Sequence, residues 1–280
     1  MGIPFLLKSE VRNMLKKMLL VFSCACMMNA CYAQNVDIEA VPSAKAIDSY
    51  NCAYDASGRV IYSSAWDKAY SAQWATLEAY EQARIATDKQ VTNAKFTEAI
   101  KNINIAVAVN PSNADYQLLA SQIYRSRGGL SYARNYFSKA CELYEKQLKE
   151  YSESITLNLQ YAIACYAGDA RYYPDYNEYK IRSYVYANQT LKLVEKYEAQ
   201  YGEKQTLLPK LLAYVILQDY KQAEKTAKRI NNVCDKFSLE YVAAEQYMQL
   251  ASNGQWLWRV SSKENAEKDF LLYSINEWGI

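Results

Sequence analysis

The chain contains no histidine, and this absence limits the chemistry that its side chains can perform. Histidine is the commonest general base and a frequent zinc ligand, so His-based catalytic triads and His metal sites are excluded. The sequence also has no Gly-rich phosphate loop, no Cys-x-x-Cys pair and no Gly-x-Ser-x-Gly elbow. We therefore predict no catalytic residues, no cofactor, no metal ion, and a protein that is not an enzyme.

The 30 acidic side chains are the most numerous groups left for acid–base chemistry. They are scattered among Lys and Arg at spacings typical of solvated helical faces. Residues 1–33 hold four basic groups and one acidic group, so the rest of the chain has 28 basic and 29 acidic residues. This balance does not favour nucleic acid, whose protein partners present a basic face. Two carboxylates brought together by the fold remain an alternative, which would indicate an envelope enzyme.

Cysteine is the next reactive group, and four of the seven cysteines follow residue 33. They are Cys52, Cys141, Cys165 and Cys234, which allow three complete disulfide pairings. An oxidising compartment permits such bonds. Cys141 and Cys165 are the best candidate pair because they fall on successive predicted helices. Small buried thiols among alanine neighbours are the other interpretation, and the sequence leaves both open.

Tyrosine is unusually abundant, with 27 residues among 280. Eight of them fall in one window, at Tyr161, Tyr166, Tyr172, Tyr173, Tyr176, Tyr179, Tyr184 and Tyr186. Tyrosine fills gaps between helices while its hydroxyl reaches water, and it also suits protein contact surfaces. Eight rings cannot all face one core from one pair of helices, so we expect some of them to be exposed.

These groups are carried by helical patterns, and one pattern repeats with a period of 34 residues. Ala99, Ile103 and Ala106 recur as Ala133, Phe137 and Ala140, each set spaced Ala-x3-apolar-x2-Ala. Between the sets, Pro111 disfavours helix at the residue before it, so one helix stops there. Ser112-x-x-Asp115 is predicted to cap the next helix, which Gly128-Gly129 ends. Small residues let two helices approach closely, and the aromatic ring fills the space beside them.

The period and the Pro turn resemble the tetratricopeptide repeat (TPR) family of helical hairpins. The resemblance implies an all-α fold: a right-handed solenoid of stacked antiparallel hairpins, with about four hairpins and a C-terminal capping helix. It also implies that the first helix of each hairpin lines a concave groove. We expect Tyr124 and Phe137 to be buried against each other's helices.

The repeat is expanded in the middle of the chain and returns near its end. Ala133 and Ala223 are 90 residues apart, which exceeds two periods by 22. Pro209 is tolerated in a helix only in the first turn, so the helix there is predicted to begin near Leu208. A last helix, opened by Ser261-x-x-Glu264, is predicted to cap the array with Trp256, Trp258 and Trp278 nearby.

The N-terminal residues read as a secretory signal peptide. Lys16 and Lys17 precede an apolar run from Met18 to Met28, and Cys31-Tyr32-Ala33 offers small residues for cleavage before Gln34. Translation could start at Met1 or Met14. The alternative is a lipoprotein signal with Cys31 as the acylated residue. The apolar run is too short to be a good membrane span.

The predicted organisation is a signal peptide at 1–33, an N-terminal arm at 34–63 and a TPR-like helical repeat domain at 64–280. A signal peptide places the protein in the periplasm or outside the cell, or on a membrane if Cys31 carries lipid. The resemblance implies an exported adaptor that binds a protein or peptide in the groove. A lipid-anchored structural subunit of an envelope assembly complex is the alternative.

The predicted partner-binding residues are the groove-facing stripes of two first helices. They are Asp115, Leu118, Gln122 and Arg125 in one helix, and Leu208, Leu212 and Val215 in another. One end of this groove would be polar and the other apolar, which suits a peptide with an apolar anchor and a nearby acid. The alternative is that Leu208, Leu212 and Val215 pack on a neighbouring helix.

Overall fold

The chain divides into two units, Met1–Ile61 and Tyr62–Ile280. The computed structural model describes residues 53–54, 60–61, 64–168, 176–253 and 262–278. In the first unit, strand β1 (Ala53–Tyr54) pairs antiparallel with strand β2 (Val60–Ile61). The predicted signal peptide, most of the predicted arm, Cys31 and Cys52 lie outside the described residues.

The second unit is helical throughout its described part, which confirms the all-α class there. Its ten described helices follow one another with short connections. They are α1 (Ser64–Ile85), α2 (Lys89–Val109), α3 (Ala114–Ser126), α4 (Leu130–Glu150), α5 (Ile155–Ala167), α6 (Tyr176–Tyr201), α7 (Glu203–Ile216), α8 (Tyr220–Val233), α9 (Leu239–Asn253) and α10 (Lys263–Trp278). None of the helices described is long and apolar enough to cross a membrane.

Side-chain caps begin several of these helices, because the first backbone N–H groups have no partner within the helix. The Asp88 carboxylate accepts from two of them, and α2 begins at the next residue, Lys89. Asn113, rather than the predicted Ser112, caps α3 by accepting from the Tyr116 N–H at 2.9 Å. Gly128 ends α3 with a φ of 92°, a conformation that glycine adopts without steric penalty.

Each helix packs against the next one along the chain. In addition, α5 packs against α7, and α7 packs against α9. The core lies between these helices, and the repeated small residues are in it: Ala99, Ile103, Ala106 and Ala140 are fully buried, and Ala133 is 5% exposed. The 34-residue pattern therefore marks core positions.

Phe137 is fully buried, as predicted. Tyr124 packs on the helix of Phe137, as predicted, but is partly exposed: it stacks on Tyr132 and Tyr136 of α4, with ring centroids 5.3 Å apart in both pairs. Phe137 also makes an edge contact with Tyr179 of α6, at 5.1 Å between centroids. The core contact of Phe137 thus extends beyond its own hairpin.

Helix α7 begins at Glu203, so the start predicted near Leu208 is wrong and Pro209 lies inside the helix. A proline there removes one backbone hydrogen bond and costs about 3 kcal/mol. Four buried leucines surround it in sequence, and each contributes about 1.5–3 kcal/mol. They are Leu207, Leu208, Leu211 and Leu212. Burial of this face outweighs the proline.

Helix α10 does not act as a cap confined to the end of the chain. It packs against α9, but also against α5 and α3, which are distant in sequence. Its buried side chains include Ala266, Phe270, Leu271 and Ile275. Ser262, rather than Ser261, provides the N-terminal cap by accepting from the Asn265 N–H. Trp256, Trp258 and the side chain of Trp278 lie outside the described residues.

Candidate functional site

The four residues predicted on α3 lie on successive turns, but two of them are buried. Leu118 is fully buried and Gln122 is 5% exposed. The Asp115 carboxylate accepts a hydrogen bond from the Tyr144 hydroxyl of α4, and Arg125 is partly exposed. Asp115 is partly exposed as a whole residue, but its carboxyl end is enclosed; this burial raises the pKa of Asp115 to about 6, although the hydrogen bond from Tyr144 lowers it. This set does not form an open polar wall.

The three residues predicted on α7 are all in the core. Leu208 is 4% exposed, and Leu212 and Val215 are fully buried. The reason is that α7 packs against α5, α6, α8 and α9, so neighbours cover it on several sides. The interpretation as an exposed groove end is therefore corrected: these residues pack on neighbouring helices, as the alternative interpretation held.

The chain's own α10 covers the predicted face of α3. The Asn276 amide of α10 donates to the Gln122 side-chain oxygen at 3.2 Å. On the adjoining side, Asp269 of α10 forms an ion pair with Arg84 of α1. Gln122, a position expected to face a partner, thus contacts the last helix of the same chain.

A small polar cavity lies where α1, α3 and α10 meet. Its volume is about 30 Å³, and its lining includes Glu81, Arg84, Gln122, Asp269 and Glu277. The Gln122 side-chain nitrogen is buried and has no hydrogen-bond partner among the described residues. A ligand pocket usually measures about 300–1,000 Å³. The carboxyl groups of Glu81 and Glu277 meet here, but the space beside them is suited to water rather than to a substrate.

Enclosure changes the proton affinity of this carboxyl pair. Glu277 is partly exposed as a whole residue, but its carboxyl end is enclosed. Burial, followed by the charge of Glu81, raises the pKa of Glu277 to about 8. Burial is also the main cause that raises the pKa of Glu81. Glu277 therefore stays protonated near neutral pH and loses its proton as the pH rises through about 8.

We expect Glu277→Gln to flatten the pH dependence of stability. The pKa of Glu277 is raised from 4.5 to about 8 in the folded protein. The stabilising free energy that protonated Glu277 contributes is therefore fully present below about pH 4.5 and is lost as the pH rises through about 8. The variant should exceed the wild type by roughly 2–4 kcal/mol in free energy of unfolding above pH 8. Urea titrations from pH 5 to 9 measure this.

Glu195→Gln on α6 is the matched control, because Glu195 is exposed and the same atoms are exchanged. If the free energy of unfolding changes with pH by the same amount in the wild type and in both variants, the assigned role of Glu277 is contradicted.

Helix α6 has a buried stripe and, on another side, an exposed apolar pair. The buried stripe consists of Ser183, Ala187, Thr190 and Val194, all fully buried. On another side, Ile181 is 64% exposed and Val185 is 58% exposed, one turn apart. Single exposed apolar residues are common, whereas contiguous exposed apolar patches are found at contact sites.

An open cleft of about 510 Å³ adjoins Val185 between α4, α5 and α6. Leu148, Val185 and Tyr186 supply apolar lining, and Glu145, Lys149 and Asn158 supply polar lining. This volume is within the range of ligand-binding clefts. We call the cleft together with Ile181 and Val185 the α6 surface.

A charged network fixes one wall of the α6 surface. Arg182 of α6 forms ion pairs with Glu145 of α4 and Glu178 of its own helix. The Tyr161 hydroxyl of α5 donates to Glu145, and Arg182 donates to the Tyr161 oxygen at 3.1 Å. Burial is the first cause that raises the pKa of Tyr161, so its hydroxyl remains a donor. The network connects the three helices that form the cleft.

Sequence reasoning identified this region through tyrosine but missed its most exposed residues. Of the tyrosines in the window, Tyr161 and Tyr166 are buried, and Tyr179, Tyr184 and Tyr186 are partly exposed. Ile181 and Val185 were not predicted. A helical projection of residues 176–201 would have separated them from the buried stripe, since they lie four residues apart on another face.

Comparison with known proteins yields no relatives. No family model, curated protein or solved structure matches this chain. The resemblance to the TPR family therefore depends on the residues quoted above. Within the described ranges, no group of three or more His, Cys, Asp or Glu side chains could hold a metal ion.

Proposed function

We propose that this chain is an exported protein–protein interaction adaptor, active in the periplasm or outside the cell. In this proposal the helices form a TPR-like, right-handed solenoid of antiparallel hairpins. The 34-residue pattern supports it, and so do the contacts of α5 with α7 and of α7 with α9, because first helices of stacked hairpins are neighbours. A helical array with few chemically reactive groups suits binding better than catalysis.

The proposed binding surface differs from the groove that the resemblance implies. Helices α3, α5 and α9 are first helices in the proposed array, and α10 packs against all three. The chain's own helix would therefore occupy the groove, and Phe270 and Leu271 of that helix are fully buried. A partner would have to displace them, so we place the partner on the α6 surface instead.

The observation that carries this placement is the exposed pair Ile181 and Val185 beside the 510 Å³ cleft. Aromatic side chains are enriched in protein interfaces, and Tyr184 and Tyr186 lie on the same helix. Lys149 at the cleft is exposed, which favours an acidic group in the partner. The expected ligand is a peptide or protein segment with an apolar anchor and a nearby acid.

We expect Val185→Asp to reduce partner capture while the protein stays folded. A carboxylate at the cleft repels an acidic segment and removes apolar contact area, so the loss should be at least about tenfold. The measurement is affinity capture from envelope extract, with quantification of each captured protein by mass spectrometry. Circular dichroism checks that helicity is retained.

Val91→Asp is the matched control for this test. Val91 is 49% exposed on α2, so the same substitution is made at similar exposure on another helix. If both variants capture the same proteins in the same amounts as the wild type, the α6 surface is not the binding site.

A second candidate is a lipid-anchored structural subunit of an envelope assembly complex. The sequence Met28-Asn29-Ala30-Cys31 favours it, because a small residue precedes the cysteine that would be acylated. Both candidates require export, and they differ in the mature N-terminus.

We expect the mature protein to begin at Gln34, because Cys31-Tyr32-Ala33 places small residues at both recognition positions. N-terminal sequencing, with allowance for pyroglutamate, measures this. Labelled palmitate on Cys31 would favour the lipid-anchored subunit. Recovery of the leader uncleaved would contradict both candidates.

A further inference from the structure

Helices α4 and α5 pack antiparallel in a register that two contacts define. Tyr144 and Tyr161 are in ring contact, with centroids 6.0 Å apart. Further along, Phe137 lies so close to Gly168 that a Cβ on that glycine would be 2.4 Å from the phenyl ring. Phe137 and Tyr144 are seven residues apart on α4, and their partners Gly168 and Tyr161 are seven residues apart in the opposite direction along α5. The helices approach closely near Gly168.

Cys141 and Cys165 fall between these two contacts, one on each helix. Cys141 precedes Tyr144 by three residues and Cys165 follows Tyr161 by four, so the register of the two helices places the cysteines opposite each other. Both are buried, at 4% and 2% exposure. Cys234 is partly exposed at the end of α8. A disulfide requires facing Cβ atoms on closely spaced backbones, and the close approach of α4 and α5 near Gly168 favours this arrangement.

We propose that Cys141 and Cys165 form a disulfide while the chain folds in an oxidising compartment. In the cell this inference rests on the proposed export, because cytosolic reductants keep thiols reduced. One cysteine thiolate attacks a disulfide of an oxidant, such as glutathione disulfide or an oxidised thiol–disulfide oxidoreductase, and releases the first thiolate. The second cysteine attacks the resulting mixed disulfide and releases the other. Two electrons reduce the oxidant, and the two cysteine protons pass to the released thiolates.

The stage of folding at which the disulfide can form follows from the burial of the two cysteines. In the folded chain the Cys141 thiol is enclosed, and contact with Cys165 together with burial raises its pKa well above the usual value. Thiolate is the reactive form, so the folded dithiol is a poor nucleophile and is shielded from oxidants. Oxidation is therefore fast during folding and slow afterwards.

The bond would stabilise the wall of the α6 surface. Glu145 follows Cys141 by four residues on α4, and Tyr161 precedes Cys165 by four on α5. These two side chains form the hydrogen bond that Arg182 shares. A covalent link one turn away restricts separation of α4 from α5 and so preserves the network beside the cleft.

The test begins with the full chain, unfolded and reduced, and then refolded with glutathione and glutathione disulfide. Free thiols are alkylated, and tryptic peptides are mapped by mass spectrometry. We expect peptides 140–146 and 150–171 to be recovered joined, with a mass two hydrogens below their sum. Recovery of both peptides in alkylated form, or of either peptide joined to one containing any of the other five cysteines, would overturn the pairing.

Stability gives a second readout that does not depend on peptide mapping. A phosphine reductant should lower the denaturant midpoint of the refolded wild type. It should leave the midpoint of Cys165→Ala unchanged, while Cys234→Ala should respond as the wild type does. An equal response of Cys165→Ala and the wild type to the reductant would overturn the proposal.

Thiol trapping in cells separates this inference from the proposed export. A bond found in cells as well as after refolding supports both. A bond found after refolding, with reduced thiols in cells, supports the pairing and overturns export. Reduced thiols in both settings overturn the pairing and leave export to the N-terminal sequencing.

Discussion

Leu212→Asp is expected to unfold the protein. Leu212 is fully buried on α7, which contacts α5, α6, α8 and α9. The substitution removes about 1.5–3 kcal/mol of apolar burial. It also places a carboxylate where no water reaches, which costs several further kcal/mol or forces the group to take up a proton. The sum is comparable to the whole stability of a typical domain, about 5–15 kcal/mol.

Circular dichroism and a urea titration measure this effect. Gln205→Asp on the same helix is the control, because Gln205 is exposed and its change should leave stability within about 0.5 kcal/mol. A folded Leu212→Asp protein that loses partner capture would restore the groove interpretation of Leu208, Leu212 and Val215. Charge reversal at Arg125, which is partly exposed, should be compatible with folding.

Phe137→Ala is expected to lower the free energy of unfolding by roughly 3–5 kcal/mol. Phe137 is fully buried, meets the Tyr179 ring edge-on and lies against Gly168. Removing the ring leaves a cavity that three helices, α4, α5 and α6, would have to close. Because the close approach at Gly168 depends on the flat ring, we expect little relaxation and a loss near the upper end.

Tyr132→Ala is the comparison on the same helix. Tyr132 is 60% exposed and stacks on Tyr124, so its loss should be below about 1 kcal/mol. Denaturant titration of both variants measures the two losses in free energy of unfolding. A loss below about 1 kcal/mol for Phe137→Ala, well under the range for a buried aromatic ring, would mean that the ring is not in the core.

The sequence determined the positions of most helices because their signals are local. Apolar spacing, Pro111 and Gly128 act within one or two turns, and the structure ends helices close to the predicted points. Where two local signals competed, the prediction was less accurate. Pro209 suggested a late start for α7, but burial of four leucines on that helix outweighed it.

The exposed surface was harder to predict, because exposure depends on what covers a helix face. The 34-residue pattern correctly placed Ile103 and Phe137 in the core. It could not show that Gln122 of α3 contacts Asn276, which is 154 residues away. For the same reason the outward position of Ile181 and Val185 was missed. An apolar residue is predicted to be core from its sequence, and only the tertiary structure shows that it is exposed.

The sequence by itself determined the helical class, the repeated small residues and the absence of histidine chemistry, since these follow from composition and from spacing along one helix. Only the tertiary structure decided which faces are open, because the packing of α10 against α3, α5 and α9 joins segments far apart in sequence. It also decided that Cys141 and Cys165 fall at opposing positions, since this depends on the register of α4 and α5. Local patterns fix the elements, whereas burial on folding fixes their arrangement.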